Sequence, residues 1–313
     1  MSWTNTSFPL STGVGSPSTA VWEDYLYSIG GRTSSADPNA LTNVVQFTKL
    51  DAQGNMTQPW ALAGNMSLGC YRNGVLVIEN KMYIFGGSLN GTGAKMSNIQ
   101  IASLSPDGTV GSWTASAMPL ALDQMGVTYW NGFVYIIGGN TGSSSFDIYR
   151  ARIDGSGNLG AWSVVGYLPA NTAGASCWRM PTLKNLVYLS DPTTTNKFCV
   201  GLINENGSIS WDVTDPVGYT AVGGGVRISM TNSRTIYTNA FSTSGVLVRL
   251  DDTGRKMQGF NWGLRGLDST ISSATMVTIK NKIFILGGVL APGYTTNILV
   301  APILDGAPGG ERF

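Results

Sequence analysis

No histidine occurs anywhere in the 313 residues. Its absence removes the side chain most often used as a general base near neutral pH, and the commonest ligand of transition metals. Charge is scarce as well: Asp, Glu, Lys and Arg make up 12% of the chain and leave a formal net charge of +1. A surface so close to neutral lacks the basic footprint that grips nucleic acid through its phosphates, so no nucleic-acid partner is expected. No apolar run reaches the roughly 18 residues of a helical membrane span, and membrane insertion is not expected either. The first 31 residues hold no Lys, no Arg and no apolar signal core, so a standard signal peptide is not expected. The three cysteines Cys70, Cys177 and Cys199 are odd in number and read as free buried thiols of a chain folded in a reducing cytosol. No cofactor and no metal are expected.

Glycine is plentiful, with 41 residues alongside many Ser, Thr and Asn, a composition of tight turns and short strands. Those glycines are not scattered. A hydrophobic strand ending in a glycine pair recurs as Tyr25-Leu-Tyr-Ser-Ile-Gly30-Gly31, Tyr83-Ile-Phe-Gly86-Gly87, Val134-Tyr-Ile-Ile-Gly138-Gly139 and Ile283-Phe-Ile-Leu-Gly287-Gly288. Leu186-Val-Tyr-Leu-Ser190-Asp191 and Thr235-Ile-Tyr-Thr-Asn239-Ala240 are degenerate copies in the same phase. The anchors near 30, 86, 138, 190, 239 and 287 lie 48 to 56 residues apart, the length of one four-stranded unit. Trp3, Trp60, Trp113, Trp162, Trp211 and Trp262 repeat in step with them. An indole recurring at each outer strand suits an apolar plug between neighbouring units.

Within a unit, period-2 strands such as Gly74-Val-Leu-Val-Ile meet the glycine strand through a tight turn, and a third strand turns at Asp107-Gly108 or Asn206-Gly207 into the Trp strand. The last unit ends at Asn297-Ile-Leu-Val-Ala-Pro with no Trp strand, whereas Ser2-Trp-Thr-Asn-Thr-Ser-Phe-Pro-Leu parallels Ser112-Trp-Thr-Ala-Ser-Ala-Met-Pro-Leu. The expectation is an all-β, six-bladed ring with four antiparallel strands per blade, one domain over residues 1–313. The N-terminal strand would complete the last blade and protect its edge.

The glycine-pair strand followed by a Trp strand resembles the kelch motif, as in the galactose-oxidase central-domain type of propeller. The resemblance spans the chain, although the fourth and fifth units lack the glycine pair and the motif's third-strand aromatic is clear only at Tyr149. It implies a propeller and leaves the function open, because such folds host enzymes, adhesins and scaffolds. Copper-oxidase chemistry of the galactose-oxidase kind needs histidine ligands, which this chain does not have.

This strand order puts the tight turns on one face and the longer loops on the other, at 11–18, 33–42, 88–97, 141–145, 216–224 and 289–296. Arg32, Arg72, Arg179, Arg227 and Arg265 fall in or beside those loops, as do Asp37, Asp123, Asp191, Asp215 and Asp268. Guanidinium forks there would pair with oxygens of a glycan or carboxylate at the channel mouth, or, in the structural alternative, with the aspartates of neighbouring blades. Trp178, Tyr219 and Tyr294, with Tyr71 and Phe241, are candidate stacking platforms or plain packing residues. Asp107-Gly108 before Trp113 superficially resembles a sialidase Asp-box, with the wrong spacing. Asp154-Gly-Ser156-Gly-Asn158 has the alternating oxygens of a calcium loop but no closing carboxylate, and a plain hairpin is expected.

The four glutamates Glu23, Glu79, Glu205 and Glu311 lie in turns or the tail, unsuited to a hydrolase, so a non-enzymatic binding or structural role is expected. Low charge, polar loops, free thiols and no export signal resemble bacteriophage tail and capsid accessory proteins. That resemblance implies a virion component, made in the host cytoplasm, that meets other virion or surface proteins through the ring surface and the tail around 305–313. Host-surface glycan is a further expected partner. The alternatives are a bacterial kelch scaffold or lectin, cytoplasmic or surface-borne, and a sialidase-like or other carbohydrate-active enzyme.

Overall fold

The computed structural model describes residues 3–302 apart from 35, 38, 90–92, 170–181, 184, 191–196, 217–226, 231–234, 240–243, 251–255, 266–270, 272, 281 and 291–292. After a short β1 (Thr4–Asn5), strands follow in consecutive fours. The first blade is β2 (Ser18–Trp22), β3 (Tyr25–Ile29), β4 (Val44–Lys49) and β5 (Ala61–Asn65). The second is β6 (Gly74–Ile78), β7 (Lys81–Phe85), β8 (Asn98–Ser103) and β9 (Thr114–Ala117), and the third is β10 (Gly126–Trp130), β11 (Phe133–Ile137), β12 (Asp147–Ile153) and β13 (Leu159–Tyr167). A fourth consists of β14 (Thr182–Leu183), β15 (Leu186–Ser190), β16 (Lys197–Ile203) and β17 (Ile209–Pro216). The fifth is β18 (Arg227–Met230), β19 (Thr235–Asn239), β20 (Ser244–Leu250) and β21 (Lys256–Arg265). Within these five blades every pairing is antiparallel between sequence neighbours, the inner pairs joined by tight turns.

The expectation of a six-bladed ring, its last blade completed by the N-terminal strand, has to be corrected at the closure. Five blades are contiguous repeats of the chain. The remaining four-stranded sheet is a composite of the two ends, ordered β1-β26-β23-β22, from β22 (Thr275–Ile279), β23 (Lys282–Leu286) and β26 (Ile298–Pro302). A small hairpin of β24 (Val289–Leu290) and β25 (Gly293–Tyr294) precedes β26. The outer strand of this sheet is only 2 residues long, against 4 in β9 and 10 in β21. Thr4 pairs with Val300 and Asn5 with Leu299, and the Thr6 N–H donates to the Ile298 carbonyl at 3.0 Å. The chain then leaves the sheet: Leu10, whose N–H donates to the Thr296 carbonyl at 2.8 Å, and Val14 are buried between the composite sheet and the first blade.

Around the axis, β22 lies beside β2, β2 beside β6, β6 beside β10 and β18 beside β22. The cores therefore form between blades. Tyr27, Val45 and Phe47 of the first blade pack with Met82 and Ile84 of the second, and Tyr83 and Phe85 of the second pack with Val134 and Ile136 of the third. Four of the repeated tryptophans, Trp60, Trp113, Trp162 and Trp211, pack in these seams. Trp60 is buried with Leu10 and Ile298, Trp162 packs on the seam between the second and third blades, and Trp211 packs on that between the third and fourth. Trp162 donates its indole N–H to the Ala117 carbonyl of the preceding blade at 2.9 Å.

Where a glycine pair occurs, it latches the seam. Gly30, Gly86, Gly138 and Gly287 have φ of 60°, 51°, 58° and 62°, and in three of these pairs the second glycine donates its N–H to the segment leading into the next blade. Gly31 reaches the Cys70 carbonyl at 2.9 Å, Gly87 that of Leu122 at 2.8 Å and Gly288 that of Val14 at 2.8 Å. On the tight-turn face a second lock recurs. The Tyr27 hydroxyl donates to the Gly108 carbonyl at 3.0 Å, the Tyr83 hydroxyl to that of Gly157 at 2.8 Å, and Arg150 to that of Asn206 at 2.7 Å. Each of these three hairpin tips is thus held by the preceding blade. Burial pushes the Tyr83 hydroxyl up to about 12, consistent with a neutral donor held in the seam.

Candidate functional site at the mouth of the first three blades

The long-loop face is organised by a repeated backbone feature. Ser16, Arg72, Gln124 and Ser273 stand two residues ahead of β2, β6, β10 and β22, all left-handed, with φ between 51° and 57°. Such a conformation in a non-glycine residue often marks functional strain. Here its recurrence with four different side chains makes it a property of the architecture. The Ser16 N–H donates to the Ser273 carbonyl at 2.5 Å and the Gln124 N–H to the Arg72 carbonyl at 2.9 Å, stitching neighbouring blades around the mouth. The Arg72 N–H makes no such backbone bond among the described residues.

Beside Ser16, Arg72 and Gln124, the chain forms an isolated bridge to the residue that follows the glycine pair: Gly15 with Arg32, Tyr71 with Ser88, and Asp123 with Asn140. These bridges place side chains from successive blades against one another. The Arg32 guanidinium carbon lies 5.7 Å from the centre of the Tyr71 ring of the next blade, and that of Arg72 lies 5.2 Å from the same centre. Both distances fall in the range of cation–π attraction. One blade further on, the Ser88 hydroxyl donates to Asp123 Oδ2 at 2.7 Å, and Arg72 Nη1 stands 3.9 Å from that oxygen. The Asp123 side chain is 3% exposed and that of Arg72 39%. Two guanidiniums against one carboxylate leave the cluster with one surplus positive charge.

Of the predicted site residues, Arg32 and Arg72 are brought together, with Tyr71 and Asp123 from the wider set. The blade-to-blade arginine–aspartate alternative is also present, as the loose Arg72–Asp123 pair. Asp37 does not join them: it is exposed in its own loop, where its carboxylate accepts the Asn39 N–H at 2.8 Å. Tyr294 is a wedge. Its ring covers Gly15 so closely that a Cβ there would sit 2.1 Å from a ring carbon, which makes it a packing residue of the closure. Arg227 opens β18, Arg265 ends β21 and Asp215 lies in β17, with only their backbones described. Arg179, Trp178, Asp191, Tyr219, Phe241, Asp268 and the tail around 305–313 lie outside the described residues. Ser88 was missed by sequence reasoning, yet it follows Gly86-Gly87 as Arg32 follows Gly30-Gly31, and that phase was the available signal.

The calcium-like stretch is a closed hairpin. Asp154 Oδ1 accepts the N–H groups of Ser156 and Asn158 at 2.9 and 2.8 Å, and Oδ2 accepts from the Asn158 side chain at 3.1 Å. These bonds hold its carboxyl below the usual carboxylate range. No group of metal-ligating side chains occurs among the described residues.

Cys70 is a free thiol with no exposed surface, and burial pushes it up to about 12 from an ordinary value of 9.0. In a Cys177→Ser, Cys199→Ser background, it is expected to stay unmodified by a disulfide reagent from pH 7 to 10 and to react at once in denaturant. The raised folded-state value also means that its contribution to stability is whole below pH 9 and declines as pH rises toward 12. Rapid labelling of the native variant at pH 8 would contradict the buried placement.

Comparison with solved structures agrees with the blade arrangement. The structure of YjhT superposes with a TM-score of 0.69, covering 95% of this chain and 97% of that one, at 15% sequence identity. The fold is a β-propeller. At that identity the likeness is one of architecture alone. No protein-family model matches the chain, and no curated protein sequence does.

Proposed function

We propose that this propeller is a non-enzymatic binding protein of kelch type that presents its long-loop mouth to a glycan or protein partner. The observation that carries the reading is the pairing of Arg32 and Arg72 on Tyr71, with Asp123 buried behind them. A cationic, hydrogen-bonding cluster is thereby held on rigid strand ends of three blades, the kind of support that precise recognition needs. The surrounding loops are rich in Ser, Thr, Asn and Gly, whose short polar groups suit hydroxyl-bearing surfaces. We further propose that the protein works as a bacteriophage virion component, a tail-associated adhesin or a decoration protein. Low charge, the free Cys70 thiol and the absence of histidine support that reading by analogy.

Fluorescently labelled protein applied to a glycan array and to candidate host cells tests the reading. Retention is expected, with every glycan recovered uncleaved, and Arg32→Ala is expected to reduce it at least several-fold. Cleavage of a retained glycan would instead favour the carbohydrate-active enzyme. Failure to bind cells or glycans would remove the adhesin and leave a decoration role, in which the partner is another virion protein.

A further inference from the structure

Donors outnumber acceptors at the mouth. Each guanidinium carries five N–H donors. Among the described residues, however, neither Arg32 nor Arg72 has a side-chain acceptor within hydrogen-bond range. Arg32 Nε is buried without a partner, and the 3.9 Å approach of Arg72 to Asp123 exceeds a hydrogen bond. Asp123 Oδ2 is engaged by Ser88, and its Oδ1 is buried and unpartnered. Because Asp123 is almost wholly buried while Arg72 is partly exposed, Asp123 cancels one charge of the pair without closing off the outward donors of Arg72. The result is a half-open pair of forks with a net charge of one.

From this we infer that the mouth takes its ligand through a single carboxylate, the acid group of a uronate-type saccharide, held by Arg72 and Arg32 beside Tyr71. The inference rests on the glycan-binding reading above and names the chemistry of the anchor. A planar carboxylate offers two in-plane oxygens to two donors and neutralises the one surplus charge. A doubly charged phosphate would overshoot that charge and meet the buried Asp123 carboxylate with added repulsion. The hydroxyls of the saccharide would meet the polar loops around the mouth. Asp123 acts as a positioning residue, steering Arg72 and setting the charge of the site.

Titration of the intact chain with methyl glucuronide, methyl glucoside, acetate and inorganic phosphate, followed by calorimetry or amide chemical shifts, tests this. The glucuronide is expected to bind at least tenfold more tightly than the glucoside and more tightly than acetate or phosphate. Arg72→Ala should weaken it roughly tenfold or more, and Arg72→Lys, which keeps the charge but loses the fork, should recover only part of the loss. Asp123→Asn should tighten it several-fold by raising the surplus charge, an effect that a merely structural role would not give. Circular dichroism on each variant separates a lost site from a lost fold, and Arg72→Lys carries the test if Arg72→Ala is misfolded. Equal binding of glucoside and glucuronide overturns the carboxylate anchor and leaves the glycan-binding reading standing. Acetate or phosphate matching the glucuronide overturns it as a general anion effect. If no saccharide binds here while the glycan array is also blank, both readings fall together.

Discussion

Gly86→Ala is expected to lower stability by about 3 kcal/mol or more, a loss of roughly 5 °C in melting temperature for a chain of this size. Two costs coincide at this position. A side chain in the left-handed region costs about 1–2 kcal/mol, and Gly86 has φ of 51°. In addition, a Cβ there would lie 2.4 Å from the Leu122 carbonyl oxygen and 2.5 Å from the Met118 methyl carbon, so the second and third blades would have to separate. Separation would also strain the bond from the Gly87 N–H to that same carbonyl, a further contribution of about 1 kcal/mol. Gly132→Ala is the control. Gly132 also has positive φ, 78°, but a Cβ there would meet nothing within 4 Å, so only the conformational cost of about 1 kcal/mol is expected. Urea melts of the two variants decide the matter: equal losses would mean that the glycine pair is a turn preference and not a latch between blades.

Deleting residues 1–10 is expected to be more damaging still, giving insoluble protein or a loss of more than about 5 kcal/mol. The deletion removes β1 from the edge of β26 and takes out Leu10, 2% exposed, and Phe8 from the cluster that also holds Trp60, Phe284 and Ile298. Loss of one buried leucine alone costs about 2–5 kcal/mol, and an uncovered strand edge invites pairing with another chain. A peptide of residues 1–16 added during refolding should restore soluble, cooperatively melting protein. A truncated chain that melts like the intact one would show that the closing sheet contributes little to the ring.

Both predictions concern features that the sequence displays unequally. The glycine pairs, the tryptophans in step with them and the Asp-Gly or Asn-Gly hairpin tips are legible because each answers a local demand. Positive φ is needed at Gly86 and Gly108, and a large apolar plug is needed in each seam. The repeat multiplies those demands until they stand out. The closing strand was legible only as a parallel between Trp3 and Trp113. That parallel suggested a full outer strand, but β1 stops at Asn5, because the segment beyond it is drawn into the seam by the burial of Phe8, Leu10 and Val14. Burial between two blades is a property of the assembled ring, invisible to a strand-by-strand reading.

The candidate site divides along the same line. Loop positions of Arg32 and Arg72 followed from the phase of the repeat, since each stands at a set distance from a glycine pair or an inner strand. That both approach one ring, Tyr71, and that Asp123 lies behind Arg72 with Ser88 on its carboxylate, depends on neighbouring blades meeting side by side. Tyr294 shows the converse: a platform by composition, it is spent on covering Gly15. The sequence by itself determined the strand class, the repeat length and the positions where only glycine serves, because these are set by backbone sterics and local periodicity. Only the tertiary structure decided how short the closing strand is and which side chains share the mouth. Those outcomes depend on packing between residues that lie dozens to hundreds of positions apart and are brought together by the curvature of the ring.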